Sequence, residues 1–161
     1  MKALIGLGAN LGEREDALKF ALDSLSGLCG TKLLAASSLY ETAPVETLEE
    51  QPDYANCVAL LETDLSPRAL LGACLGIEAA AGRKRVKYHG ARCLDLDLLL
   101  YEGFESADSE LTLPHPRMGE RAFVLVPMSE LFPDGIALGY DFAENLKAVS
   151  GQRVSRKGRI V

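Results

Sequence analysis

An α+β fold, helices packed on a mainly antiparallel sheet, is predicted by three observations. Short apolar runs bounded by turn residues alternate with two longer segments of helical period. Their order is strand, helix, strand, strand, helix, strand. The chain has 161 residues, which fits one domain, 1–161, able to bury roughly 70% of the unfolded surface.

Residues 2–7 (KALIGL) are an apolar run ended by Gly8, the pattern of a buried first strand. Asn10 then offers a helix cap, and Leu18, Ala21, Leu22, Leu25 and Leu28 recur at helical spacing before Gly27 and Gly30 stop the helix. Residues 32–43 read as a second strand, 44–52 as a long acidic connection and 57–62 as a third strand. Ser66-Pro67 places a capping hydroxyl before a proline at the first helical position, so a helix over 66–81 is expected, stopped by Gly82. A basic loop follows, then a strand over 94–101. This is the ferredoxin-like βαββαβ arrangement. Residues 111–128 are expected to add a strand and 141–149 a helix, as a C-terminal extension. The tail from Gly151, with Arg153, Arg156, Lys157 and Arg159, reads either as a final strand or as a loose basic end.

No run approaches the roughly 20 apolar residues of a membrane span, and no signal peptide is visible. Cysteines 29, 57, 74 and 93 never form a C-x-x-C pair. Cys57 and Cys74 lie in apolar runs, which favours reduced thiols in a cytoplasmic protein over two disulfides. A net charge of −6 argues against nucleic-acid binding. Yet five of the 17 Lys and Arg fall within Arg83–Arg92, a stretch without an acid. One concentrated basic loop in an acidic protein suits a small anion.

The sharpest chemical signal is Leu94-Asp95-Leu96-Asp97-Leu98-Leu99-Leu100. Alternation puts Leu94, Leu96, Leu98 and Leu100 on the core side, and Asp95 and Asp97 together on the other, with Cα atoms about 6–7 Å apart. Two carboxylates so close repel unless a cation lies between them, and hard oxygen donors suit Mg²⁺. An exposed strand face paired with Arg or Lys fits the same residues. Arg83, Arg85 and Arg92, flanked by Gly82 and Gly90, could grip phosphate oxygens and close over a nucleotide, or form a solvated loop. No P-loop signature occurs. Prolines 114 and 116 fix the chain around His115, which could bond a phosphate as readily as it could be a satisfied core histidine; Arg121 adds charge nearby, and Phe123 alone reads as core. Asn56 offers a donor and an acceptor that match a heterocyclic amide edge, and Tyr54 a stacking face.

Together these segments resemble the 6-hydroxymethyl-7,8-dihydropterin pyrophosphokinase family. The resemblance runs through Gly8-Ala9-Asn10-Leu11-Gly12, Tyr40-Glu41-Thr42-Ala43-Pro44 and Gln51-Pro52-Asp53-Tyr54-Ala55-Asn56. It continues through Gly82-Arg83-Lys84-Arg85, Gly90-Ala91-Arg92-Cys93-Leu94-Asp95-Leu96-Asp97 and Pro114-His115-Pro116-Arg117-Met118 to Arg121 and Phe123. It implies a ferredoxin-like fold and transfer of the β,γ-diphosphate of ATP to the pterin hydroxymethyl, with release of AMP, in folate biosynthesis. It further implies that Asp95 and Asp97 bind two Mg²⁺ ions, that ATP is co-substrate, and that Arg83 and Arg92 join the aspartates in catalysis. Thr42, Pro44, Val45, Tyr54, Asn56 and Phe123 would hold the pterin. Arg83, Arg85, Arg92, His115 and Arg121 would line the triphosphate, with Glu78 and Thr112 near the nucleoside. The expected partners are therefore the small molecules ATP and a reduced pterin alcohol, with neither nucleic acid nor membrane. Departures from the family pattern are His89 and Ala91 where Trp and Pro are usual, Ala9 for Ser, and Glu46 for Gly. Two other readings are a non-catalytic ferredoxin-like ligand-sensing module, which would tolerate loss of either aspartate, and a protein-interaction domain.

Overall fold

The first strand sets the architecture. In β1 (Lys2–Ala9) the odd-numbered Ala3, Ile5, Leu7 and Ala9 bury on one face, and Leu4 buries on the other. A strand buried on both faces belongs in the middle of a sheet. In the computed structural model, which describes residues 1–9, 14–42, 54–83 and 94–160, β1 pairs antiparallel with β4 (Tyr54–Thr63) on one side and β5 (Asp95–Tyr101) on the other.

The second strand expected over 32–43 is two strands, β2 (Thr31–Ala36) and β3 (Ser38–Thr42), both paired with β4. The break is at Ser37. Its N–H donates to the Val58 carbonyl (2.9 Å), while its Oγ takes the place of a main-chain acceptor for the Val58 N–H (2.9 Å). A side chain inserted in the ladder bends the strand without leaving buried polar atoms unpaired. The sheet order is β10-β3-β4-β1-β5, with β2 beside β4. β10 (Val154–Arg159) pairs antiparallel with β3. The basic tail is therefore a strand rather than a loose end, and its register shifts between Arg156 and Gly158, where Gly158 has φ +105°.

Two helices cover one face: α1 (Arg14–Ser26), through Leu18, Ala21, Leu22 and Leu25, and α2 (Pro67–Arg83), through Leu70, Cys74, Ile77 and Ala81. They pack on Ile5, Leu7, Leu61, Leu96 and Leu98. Ser66 caps α2 as expected, its Oγ accepting from the Ala69 N–H at 3.2 Å. The Asn10 cap, the 44–52 connection and the loop over 84–93 lie outside the described residues.

The opposite face corrects the strand expected over 111–128. A short hairpin, β6 (Ser106–Asp108) and β7 (Leu111–Leu113), is followed by a 3₁₀ turn (Met118–Glu120) and the helix α3 (Ala122–Leu131). The run AFVLVPMSEL carries no clean period, and Pro127 argues locally against a helix. Burial decides otherwise: Ala122, Val124, Leu125 and Met128 pack on Leu4, Val58, Leu99 and Leu100. Leu100 thus sits on the α3 side and not with Leu94, Leu96 and Leu98. A bulge pairs Leu4 with Leu100 but Ile5 with Leu98, so the facing alternation slips by one residue. The small hairpin β8 (Ile136–Ala137) and β9 (Tyr140–Asp141) and the helix α4 (Ala143–Ala148) complete this layer around Phe142.

A polar knot ties α3 to the sheet. Glu130 accepts from the Ser38 N–H (2.9 Å), the Ser38 hydroxyl (3.2 Å) and the Tyr40 hydroxyl (2.7 Å), with Arg156 Nε at 3.9 Å. Burial and the neighbouring carboxylate push the Tyr40 phenol up to about 12. For Glu130 itself burial works upward, but the hydrogen bonds and Arg156 outweigh it and hold the carboxyl below its ordinary 4.5. A depressed carboxylate adds stability that is present above 4.5 and lost as pH falls through the lower folded-state value. Glu130→Gln is therefore expected to cost about 1–3 kcal/mol at neutral pH. It should also flatten the acid-side decline in urea midpoint between pH 5 and 3 (about the window of the shift).

Cys57 and Cys74 are buried free thiols, with burial raising each to about 12, and Cys29 is exposed and free. Cys93 lies outside the described residues. Among the described residues no helix is long and apolar enough to cross a membrane.

Candidate active site

The α3-side face of the sheet is apolar at one end and polar at the other. Beyond Leu4, Val58 and Leu99, the same alternation presents Gly6 and Gly8 from β1, Asn56 and Tyr54 from β4, Thr42 from β3, and Asp95 and Asp97 from β5. Gly8 pairs with Asn56 on one side and Asp95 on the other, and Gly6 stands opposite Asp97. Neighbouring strands lie about 4.8 Å apart, so Asn56 and Asp95 are separated by about 10 Å with only hydrogen atoms projecting between them. Motif reading quotes Gly8 without giving it a role in the site and passes over Gly6, and both form the floor of this face. Their signal is present in the chain: two glycines two apart, on one face of an otherwise apolar strand.

Asp95 and Asp97 face away from the helical core, both half-buried, as their spacing predicts. The residue between them is clamped from behind, where Glu78 of α2 accepts the Leu96 N–H at 2.8 Å. β5 is a sheet edge, and this bond supplies a partner to an outward-facing main-chain donor.

His115 stands over the pair, with Nε2 3.9 Å from Asp97 Oδ1. Its N–H donates to the Leu99 carbonyl (2.9 Å), anchoring the turn to β5, and its Nδ1 accepts from the Arg117 N–H (3.3 Å). Burial, chiefly, with Arg121 and Arg117, lowers the imidazole pKa against the upward pull of Asp97. The neutral ring therefore dominates at pH 7, and because Nδ1 is an acceptor its proton is on Nε2, aimed at Asp97.

Asn56 is only 5% exposed, and its Nδ2 donates to Thr42 Oγ1 at 3.1 Å. Tyr54, opposite Thr42, is half-buried. At the start of α3 the Arg121 guanidinium lies over the Phe123 ring, 5.4 Å from its centre. Thr112 sits in the β6–β7 hairpin, its hydroxyl bonded to the Asp108 carbonyl (2.9 Å). Arg83 closes α2. Pro44, Val45, Arg85 and Arg92 lie outside the described residues, as does the Arg83 side chain. The structure thus brings Thr42, Tyr54, Asn56, Asp95, Asp97 and His115 to one face. Glu78 instead reaches β5 from the helical side, and Thr112 bonds within its own hairpin. Among the described residues no group of three or more His, Cys, Asp or Glu is poised to hold a metal ion.

Comparison with known proteins converges on one family. The sequence model described as 7,8-dihydro-6-hydroxymethylpterin-pyrophosphokinase matches residues 4–133. A 2-amino-4-hydroxy-6-hydroxymethyldihydropteridine pyrophosphokinase from Methylorubrum extorquens is 38% identical over 155 residues, covering 96% of this chain and 98% of its own. The enzyme of the same name from Haemophilus influenzae is 43% identical over 132 residues, 82% of each chain. A crystal structure of Plasmodium falciparum HPPK-DHPS superposes with a TM-score of 0.67 at 14% identity, over 93% of this chain and 44% of that one. At that identity the match speaks for the fold alone, and this chain spans less than half of the larger protein. One relative matched over nearly its full length, a second over 82% of each chain, and a family match over residues 4–133 lead to one conclusion: the chain belongs to the 7,8-dihydro-6-hydroxymethylpterin-pyrophosphokinase family.

Proposed function

We propose that ATP is the donor, that its β,γ-diphosphate passes to the hydroxymethyl oxygen of 6-hydroxymethyl-7,8-dihydropterin with release of AMP, and that Asp95 and Asp97 hold two Mg²⁺ ions for this transfer. Pyrophosphoryl transfer to hydroxymethyldihydropterin, a step of folate biosynthesis, is the family's activity. The reading as a non-catalytic sensing module is not favoured, since both relatives are named pyrophosphokinases.

The observation that carries the proposal is the row Asn56–Gly8–Asp95 across three strands. A flat bicyclic ligand laid on Gly8 would put its polar edge at Asn56 and its side arm at the aspartates. The donor set suits magnesium, which takes one or two carboxylates and completes its shell with phosphate and water oxygens. When bound, the metal would neutralise phosphate charge on the transferring group.

The chain's own residues orient and confine the reactants. Clamped by Glu78, β5 holds the two carboxylates at a fixed spacing. His115 presents an Nε2–H beside Asp97, able to bond either the carboxylate or a phosphate oxygen. Tyr54 and Phe123 would stack on the pterin, with Thr42, Pro44 and Val45 beside it. Arg83, Arg85, Arg92 and Arg121 would pair with the triphosphate, and Glu78 and Thr112 would lie towards the nucleoside. These residues would supply alignment and charge stabilisation, and the hydroxyl proton would leave to a phosphate oxygen or to water as the new O–P bond forms. Residues 1–161 would act as one pyrophosphokinase domain, and buried reduced thiols suit the cytoplasm.

The deciding test is AMP release from ATP, Mg²⁺ and the reduced pterin alcohol. Stoichiometric AMP and pterin diphosphate are expected, and no pterin-dependent AMP would overturn the proposal. Arg92→Ala is expected to raise the barrier by at least ~2 kcal/mol, about 30-fold in kcat, through loss of a charged phosphate contact. An unchanged kcat would remove Arg92 from the catalytic set.

A further inference from the structure

At Arg121 the 3₁₀ turn gives way to α3, and the backbone there is extended, with φ −120° and ψ 111°. Its own side chain does not hold that bend, since it makes no capping hydrogen bond to the helix. One side chain from far along the sequence does. Gln152 Nε2 donates to the Glu120 carbonyl (2.9 Å), and Gln152 Oε1 accepts from the Ala122 N–H (2.9 Å). A carbonyl only accepts and an N–H only donates, so these two contacts fix which end of the amide is which. Between that carbonyl and that N–H the only soft main-chain torsions are φ and ψ of Arg121, so a side chain gripping both groups locks both angles.

We propose that Gln152 is a positioning residue that fixes the Arg121 backbone and so aims the Arg121 guanidinium across the Phe123 ring toward the transferring phosphates. The proposal rests on the reading of Arg121 as a triphosphate contact and deepens it. The guanidinium lies 5.4 Å from the centre of that ring, so its direction is already set without a ligand. Gln152 is exposed, where water could serve its amide, and ordering it costs side-chain entropy that the two main-chain bonds offset. Its mount is firm: its own N–H donates to the Val149 carbonyl at the end of α4 (3.0 Å), and β10 starts two residues later. The preceding turn is seated on the same extension. Asn145 Nδ2 donates to the Gly119 carbonyl (3.3 Å), and a Cβ on Gly119 would stand 3.0 Å from the Tyr140 hydroxyl. Tyr140, Asn145 and Gln152 all lie beyond residue 133, whereas the arginine they brace lies within the family match.

The test is steady-state AMP release by the full chain in a double-mutant cycle. Arg121→Ala should lower kcat about 100-fold, through loss of a charged phosphate contact. Gln152→Ala should lower kcat about tenfold and leave the KM for ATP and for the pterin within about threefold, since a misaimed guanidinium loses most in the transition state. Gln152→Glu keeps the length and one acceptor but turns a second acceptor on the Glu120 carbonyl, and should fall as far. In the Arg121→Ala background, Gln152→Ala should change kcat by less than about twofold, because the group it aims is gone. A role confined to stability would instead cost the same active fraction in both backgrounds. A wild-type kcat from Gln152→Ala or Gln152→Glu overturns the proposal, as does a full tenfold loss on top of Arg121→Ala. A wild-type kcat from Arg121→Ala would take the arginine out of the site. Absence of AMP release by the wild type would bring down the diphosphate-transfer reading, and this inference falls with either.

Discussion

Asp97→Ala is expected to lower kcat for AMP release by about 10³-fold or more, roughly 4 kcal/mol of transition-state stabilisation, and Asp95→Ala to do the same. The expectation follows from where the side chains point. Both leave the α3-side face of an edge strand, whose other face is the core under α1 and α2. Removing either carboxylate deletes no core contact, and the Asp97 side chain is 42% exposed. Thermal and urea midpoints should therefore stay near wild type while turnover collapses. Asp97→Asn sharpens the test, since it keeps shape and exposure but removes the charge a cation requires. Chelation of Mg²⁺ should abolish turnover of the wild-type enzyme to the same floor. Near-normal rates from both alanine variants would reject the metal role outright.

The second large effect is on stability. Phe142→Ala is expected to cost about 3–5 kcal/mol, the usual range for emptying a fully buried aromatic site. Phe142 has no exposed surface and lies in one cluster with Leu125, Met128 and Ala137, and its N–H donates to the Gly135 carbonyl at 2.9 Å. It also lies beyond residue 133, where the family match ends. A single urea transition, shifted in midpoint with unchanged slope, would show that this extension unfolds together with the sheet. A biphasic curve would mean that the extension melts alone, which would sink the single-domain proposal.

Elements whose residues carry a local signal are legible in the sequence. Ser66-Pro67 announced α2, and strict leucine–aspartate alternation announced the facing of Asp95 and Asp97, because both depend on neighbours in sequence. The misreadings share a different cause. Ser37 interrupts a strand only because Val58, 21 residues away, accepts and donates there. Leu100 changes face because of a bulge against Leu4. The helix through Pro127 forms because Leu4, Val58 and Leu99 need covering. Each is decided by a partner distant along the chain, which periodicity cannot see. The site divides in the same way. Charged and aromatic members announce themselves by residue type, whereas Gly6 and Gly8 matter for what they lack, and a missing side chain has meaning only once its neighbours are known.

Those two glycines also set a limit on how this scaffold can be improved. A central strand gains most from β-branched residues, and each glycine there forgoes about 0.5–1 kcal/mol. A search for hardier variants would be drawn to positions 6 and 8 first. There a methyl group would meet Leu99 at 3.3 Å or Asn56 at 3.0 Å and roughen the very floor on which the substrate is meant to lie. Durability in this chain is better sought on the opposite layer, at Gly72 and Gly76 of α2, where an added methyl would meet nothing within 4 Å.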